Sequence, residues 1–151
     1  MELLRNQWDV VNDDVMGGVS NGNFIMNDSS MIFSGKLSSK YNGGFASVRT
    51  KERINIDGAT KINIKIIGDG NTYQLRIKDN HYNYYSYSIE FETKDIEEDL
   101  VFNLSDFKAI FRGTYLDMKN FDKTKIDELT FMIVSKNEPD FRLQVFDVYF
   151  N

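Results

Sequence analysis

The sequence contains no cysteine, so it can form no disulfide, no thiolate zinc site and no cysteine nucleophile. This absence fits a reducing compartment. The fold must therefore rest on its core, and hydrophobic residues at 41% with aromatic residues at 14% are sufficient to build one. At 151 residues we expect a single domain spanning the whole chain.

Positive charge is dispersed and is outnumbered by negative charge. There are 18 basic and 23 acidic residues, a net charge of −5, and no basic stripe to neutralise phosphates, which excludes nucleic acid as a partner. No apolar run is long enough to span a membrane. Residues 1–10 show neither a secretory signal nor a transit peptide, so we expect a cytoplasmic protein.

The chain has one proline and no sustained apolar pattern at helical spacing; what recurs is the alternation typical of β-strands. Residues 24–26 and 31–33 flank a polar turn and predict a hairpin. A second, clearer hairpin is predicted for residues 62–66 and 73–77, which a glycine-rich turn separates. Residues 85–91 alternate in the same way and should extend it into a meander.

The second half of the chain continues this pattern. Residues 100–104 predict a strand, followed by a short helical turn around residues 107–111. Residues 121–128 read as a polar connection that has room for a helical turn, and the last strands are predicted at 129–134 and 141–150. Roughly nine or ten short strands with polar turns predict an all-β fold, an antiparallel β-sandwich of the jelly-roll type.

The segment from Trp8 to Ser20 combines the only tryptophan, a carboxylate pair and a glycine pair. Gly17 and Gly18 predict a tight turn, which short Asx side chains would fix by bonding nearby amides. Asp13 and Asp14 could instead offer oxygens to calcium or to ligand hydroxyls. Because calcium takes six to eight oxygens, the pair alone is a weak cation signal, and we expect no metal.

Residues 18–22 satisfy the Gly-x-Ser-x-Gly pattern of a hydrolase elbow, with Ser20 as the serine and His81 downstream. The elbow requires a strand-to-helix turn on a mostly parallel sheet, whereas the surrounding sequence predicts short antiparallel strands. We therefore expect no catalytic residues, no cofactor and no enzyme activity.

An aromatic and amide-rich loop follows residue 79. Tyr82 and Tyr84 offer stacking faces, and Asn80 and Asn83 offer hydrogen bonds, a combination that suits sugar rings or a protein surface. The alternative is that both tyrosines fold onto the edge of the sandwich.

Two arginines stand in glycine-marked segments. Arg49 ends the stretch that begins at Gly43, and Arg112 precedes Gly113. Each guanidinium could pair with a carboxylate such as Asp69 or one of the early pair, either as a structural ion pair, which we favour, or as part of ligand recognition.

Taken together, four segments, residues 8–20, 42–49, 68–73 and 111–113, resemble in order and number the motifs of the complex I intermediate-associated protein 30 family. The resemblance implies a galactose-binding-like jelly roll similar to carbohydrate-binding modules. The best-known members are mitochondrial factors that help assemble respiratory complex I, and this chain resembles a bacterial stand-alone member. The resemblance supplies no catalytic residues.

Two groups of residues follow from the motifs and their chemistry. The expected structural residues are Trp8, Met16, Gly17, Gly18, Ser20, Gly43, Gly44, Phe45 and Gly113. The candidate binding residues are Asp13, Asp14, Asn42, Arg49, Asp69, Tyr82, Tyr84 and Arg112. We expect the motif loops to gather at one end of the sandwich with Trp8 buried beneath them.

The expected function is a non-catalytic interaction domain that resembles the chaperone-like assembly factor of NADH:ubiquinone oxidoreductase. Its expected partner is a protein, and a membrane-associated respiratory complex is one candidate. The alternative is a module that binds carbohydrate or another polyhydroxylated ligand on the concave sheet face. A row of exposed aromatics would favour sugar, and a broad apolar patch with a polar rim would favour a protein partner.

Overall fold

The computed structural model describes residues 7–12, 21–37, 44–135 and 140–151. These residues form short strands and one 3-10 turn, Leu104–Asp106. The strands are β1 (Asp9–Asn12), β2 (Asn21–Met26), β3 (Met31–Lys36), β4 (Gly44–Thr50), β5 (Ile54–Asn55), β6 (Lys61–Ile67), β7 (Thr72–Lys78), β8 (Ser86–Glu92), β9 (Glu97–Asn103), β10 (Lys108–Phe111), β11 (Thr114–Tyr115), β12 (Lys125–Ile126), β13 (Glu128–Ser135) and β14 (Asp140–Phe150).

Two antiparallel sheets form the sandwich. The larger has seven strands in the order β1-β4-β13-β7-β8-β10-β11, and the smaller has five in the order β2-β3-β14-β6-β9. Strands β5 and β12 pair separately as a small ribbon. The predicted all-β antiparallel sandwich is confirmed. Within the described residues, no helix is long and apolar enough to cross a membrane.

The core lies between the sheets because alternate residues of each strand point inward. On β6 the buried hydrophobic residues are Ile62, Ile64 and Ile66, and they belong to one cluster with Phe131 and Trp8. Trp8 is buried as expected, with its ring centroid 6.1 Å from that of Phe131. Each such side chain contributes about 1.5–3 kcal/mol when fully buried.

The predicted hairpin of residues 62–66 and 73–77 is wrong. Strand β6 pairs with β14 and β9, whereas β7 pairs with β13 and β8 in the other sheet. The turn between them crosses from sheet to sheet and so cannot close a hairpin. Only the second half of the predicted meander, β7 beside β8, is confirmed.

Of the other local predictions, some are confirmed and one is wrong. The early hairpin is confirmed as β2 paired with β3, and the two last strands are confirmed as β13 and β14. The helical turn around residues 107–111 is wrong: it is β10, whose Ala109 and Ile110 are buried and which pairs with β8. The connection 121–128 contains β12, and no helix occurs among its described residues.

Candidate functional site

A groove of about 410 Å³ lies on the outer face of the seven-stranded sheet. It forms because residues that alternate away from the core on β4, β13, β7 and β8 share this face, and the β10–β11 turn adds to one side. The residues lining the groove are Phe45, Gln74, Arg76, Tyr84, Ser86, Ile110, Phe111, Arg112, Gly113, Met132 and Val134.

The groove has two apolar walls. On one side Val134 of β13 stands directly opposite Phe45 of β4, with Met132 two residues along the same strand. On the other side the rings of Tyr84 and Phe111 meet edge to face, with centroids 5.1 Å apart. Tyr84 remains 64% exposed, so its ring is available to a ligand.

The floor of the groove is polar, and β7, the middle strand of the sheet, provides it. Arg76 is half-buried, and its Nε donates a hydrogen bond of 2.8 Å to Oε1 of Gln74. Burial lowers the pKa of the Arg76 guanidinium below its ordinary value, and the phenol of Tyr115 partly offsets this effect. Among the described residues, Arg76 makes no ion pair.

The β10–β11 turn places a second guanidinium at the groove. Phe111 pairs with Thr114, so Arg112 and Gly113 form a two-residue turn, with φ of 49° and 79°. Positive φ at both positions matches a type I′ turn, in which glycine is favoured and arginine is uncommon. The Arg112 Cζ lies 5.2 Å from the Phe111 ring centroid, within cation–π range.

Arg49 faces the same side of the sheet but does not line the groove. Its Nη1 lies 3.5 Å from Oε1 of Glu128, so its ion-pair partner in the structure is Glu128 and not Asp69. This pair joins β4 to β13, consistent with the structural role that we favoured. The expected pairing with the early aspartates lies outside the described residues.

Asp69 lies in the turn between β6 and β7, away from the residues that line the groove. Its carboxylate accepts hydrogen bonds from the Tyr73 hydroxyl at 3.0 and 3.1 Å, from the Arg142 amide at 2.7 Å and from the Asn71 amide at 3.0 Å. Burial, followed by the charge of Asp69, raises the pKa of Tyr73 well above its ordinary value. The Arg142 bond ties the turn to β14, the neighbour of β6 in the five-stranded sheet, and the Tyr73 bonds tie it to β7.

A second polar cluster surrounds buried Asp127. Arg53 donates a 3.0 Å hydrogen bond to it, and the His81 Nδ1 lies 3.7 Å from its other oxygen. Burial acts to raise the pKa of Asp127, but the hydrogen bond and charge of Arg53, with help from Lys125, outweigh it and lower the pKa below its ordinary value. The His81 ring lies 4.1 Å from that of Tyr82, which is 85% exposed and outside the groove.

The structure brings part of the sequence-predicted set together. The groove contains Phe45, Tyr84, Arg112 and Gly113, while Gly44 begins β4. Several predicted residues lie outside the described residues: Asp13, Asp14, Met16, Gly17, Gly18, Ser20, Asn42 and Gly43. Among the described residues, no group of three or more His, Asp or Glu side chains is placed to hold a metal ion.

Sequence reasoning missed most of the groove's strand residues. Gln74 and Arg76 alternate with core residues of β7, and Met132 and Val134 do the same on β13. The alternation itself marked them as outward-facing. The alternation does not show that β7 and β13 lie side by side. That pairing joins the outward-facing residues of the two strands into one continuous surface.

Comparison with known protein families gives a match over nearly the whole chain. Its residues 3–145 match the family described as complex I intermediate-associated protein 30. The chain belongs to this family. The matched region contains every strand through the middle of β14 and all residues that line the groove, so the groove is part of the family domain. Comparison with the sequences of curated proteins gives no significant match.

Solved structures share the fold of this family member at low sequence identity. A family 11 carbohydrate-binding module from Clostridium thermocellum, in complex with a β-1,3-1,4-mixed-linked tetrasaccharide, matches with TM-score 0.65 and 15% identity over 92% of this chain and 88% of that one. A family 4 carbohydrate-binding module matches with TM-score 0.59 and 10% identity over 97% and 92%. The Endo-D glycoside hydrolase domain structure from Streptococcus pneumoniae R6 matches with TM-score 0.60 and 13% identity over 93% of this chain but only 21% of that one.

Proposed function

We propose that this protein is a single, non-catalytic interaction domain that binds a segment of another protein in the groove and thereby acts as an assembly factor. Family membership supports a role in the assembly of respiratory complex I. The assembly role and the cytoplasmic location that the sequence led us to expect both belong to this proposal.

The observation that carries the proposal is the apolar wall on an otherwise solvent-facing sheet surface. Phe45, Met132 and Val134 line the groove beside a polar floor and do not belong to the core cluster between the sheets. Aliphatic and thioether side chains pack well against the apolar side chains of a protein partner, and an apolar centre with a polar rim is the usual make-up of a protein interface.

Site-specific photo-crosslinking in the native cell tests this proposal. Val134 in the groove is 51% exposed, and Val101 on β9 of the other sheet is 54% exposed, so the two positions form a matched pair. A benzophenone amino acid at position 134 should give a discrete protein adduct, identified by mass spectrometry as a subunit or assembly intermediate of the respiratory complex. Adducts that are the same at positions 134 and 101, or none at 134, would contradict the proposal.

A carbohydrate ligand is the second candidate. It is supported by the ring of Tyr84 standing free at the wall of the groove, near hydrogen-bonding groups on Gln74 and Arg76. Stacking of an aromatic ring on a sugar face with polar groups alongside is a usual arrangement in small-ligand sites. The family 11 module of the same fold is known with a tetrasaccharide bound.

Titration with that mixed-linked tetrasaccharide, followed by amide chemical shifts, separates the two candidates. Sugar binding in the groove predicts shifts on β7 and β13 that Tyr84→Ala abolishes and that Tyr82→Ala leaves intact, since Tyr82 is exposed but outside the groove. Absence of any shift at millimolar saccharide would leave the protein partner as the remaining occupant.

A further inference from the structure

The charged lining of the groove is entirely cationic although the protein is acidic. Arg76 and Arg112 are the charged residues among the described lining residues, and no aspartate or glutamate is among them. The chain as a whole has 23 acidic residues against 18 basic ones. A positively charged cleft on an acidic protein is complementary to an anionic group.

Arg76 is the more informative of the two because no acidic side chain among the described residues pairs with it. Directly across from it on the neighbouring strands stand Thr130 and Ser88, both uncharged. The acidic side chains nearest in register are Glu128, which pairs with Arg49, and Glu90, which stands opposite Gln74. A half-buried guanidinium without a counter-ion is unfavourable, and such an arrangement commonly marks a site that a ligand completes.

The donors of Arg76 are also available. Its Nε is bonded to Gln74, and among the described residues its two terminal nitrogens make no hydrogen bond. Those two nitrogens form the fork that binds a carboxylate with two parallel hydrogen bonds. The bond to Gln74 holds the guanidinium in place, so little side-chain entropy is lost when the carboxylate binds.

The second guanidinium is held in an unfavourable backbone conformation. Arg112 has a φ of 49° at a turn position that glycine or asparagine would occupy with less strain. Its side chain lies over Phe111, on the wall of the groove. Arg112 therefore adds a second positive charge to the lining of the groove.

We propose that Arg76 binds a carboxylate carried by an extended segment of the protein partner, an acidic residue with an apolar residue two positions away on either side. This inference rests on the proposed function. In an extended segment, successive side chains point to opposite sides. Residues two positions from the acidic one share its side, so they can contact the apolar wall of Phe45, Met132 and Val134 while the carboxylate meets the floor. A uronic acid offers the same carboxylate, but it carries no alkyl side chain to pack against the apolar wall.

The test uses the whole protein and two capped pentapeptides, acetyl-Leu-Ser-Glu-Ser-Leu-amide and acetyl-Leu-Ser-Gln-Ser-Leu-amide, which differ only in the charge and whose leucines share a side with the central residue. The readout is the Nε–Hε signal of Arg76 together with the backbone amides of β7 and β13 in a titration by nuclear magnetic resonance. The acidic peptide should bind about tenfold more tightly than its neutral counterpart, a difference that disappears in Arg76→Gln. Arg76→Lys should fall between the two, because it keeps the charge and loses the fork.

Arg142→Gln is the matched control, since it removes the same charge from an exposed position on the five-stranded sheet and should leave binding unchanged. Equal binding of both peptides, no binding of either, or no effect of Arg76→Gln would overturn the inference. Stronger shifts with glucuronate than with the acidic peptide would overturn the protein occupant. Crosslinking from position 134 keeps the two proposals separate: an adduct that persists in Arg76→Gln removes the carboxylate inference and leaves the proposed function standing.

Discussion

Replacing Asp69 by alanine should be among the most destabilising single changes at a polar site in this protein. The Tyr73 hydroxyl donates to the Asp69 carboxylate and is fully buried, so the variant leaves a buried donor without its partner. That alone costs about 1–3 kcal/mol. The Arg142 and Asn71 amides also lose a charged acceptor, but water can replace it in part. We expect a total loss of about 2–4 kcal/mol from a free energy of unfolding that is typically about 5–15 kcal/mol.

Urea denaturation of a double-mutant cycle measures this effect. Tyr73→Phe alone should lower the free energy of unfolding by about 1–2 kcal/mol, but in the Asp69→Ala background it should be neutral or stabilising, because it removes the orphaned hydroxyl. Asp95→Ala, in an exposed position of the β8–β9 connection, is the control and should change stability by less than about 0.5 kcal/mol. An Asp69→Ala loss no larger than that of the control, or equal effects of Tyr73→Phe in both backgrounds, would refute the reasoning.

Further predictions concern pH, packing and calcium. Burial, with a smaller contribution from Tyr85, raises the pKa of Tyr87 to about 12, and burial also raises the pKa of Tyr73, so the unfolded chain loses these two protons at lower pH than the folded protein does. Above about pH 10 the free energy of unfolding, measured by urea denaturation, should therefore fall by about 1.4 kcal/mol per pH unit for each tyrosine. Tyr73→Phe should reduce that slope. A Cβ at Gly68 would overlap the side chain of Thr93, so Gly68→Ala should lower the free energy of unfolding by about 3 kcal/mol or more in the same assay. Calcium should leave the melting temperature unchanged if residues 13–14 only fix a turn, whereas bound calcium at a thousand times its dissociation constant would add about 4 kcal/mol.

Strand positions were largely predictable because a strand buried on one face has a hydrophobic residue at every second position, as Ile62, Ile64 and Ile66 show. Strand partners were not. The glycine-rich turn after β6 has the composition of a hairpin turn, yet its carboxylate at Asp69 binds the amide of Arg142, 73 residues away. That long-range bond joins the turn to β14, the neighbour of β6 in the five-stranded sheet, and no local pattern contains it.

The candidate site likewise contains residues that local sequence identified and residues that only the strand pairing reveals. Glycine-marked segments and the aromatic loop pointed to Phe45, Tyr84 and Arg112, because turn chemistry and exposed aromatics can be recognised locally. Arg76 and Val134 looked like ordinary solvent-facing strand residues. They become part of a site only because β7 and β13 pair, which places Arg76 on the floor of the groove beside the apolar wall that contains Val134.

The central claim is that the groove binds a protein partner, and the affinity of the crosslinked partner for two matched variants tests it most directly. Val134→Gln and Val101→Gln make the same change at equally exposed strand positions on opposite sheets, and each should alter stability by less than about 0.5 kcal/mol. Titration calorimetry with the purified partner should give about tenfold weaker binding for Val134→Gln and unchanged binding for Val101→Gln. Equal affinities of the two variants, or a loss confined to Val101→Gln, would contradict the account.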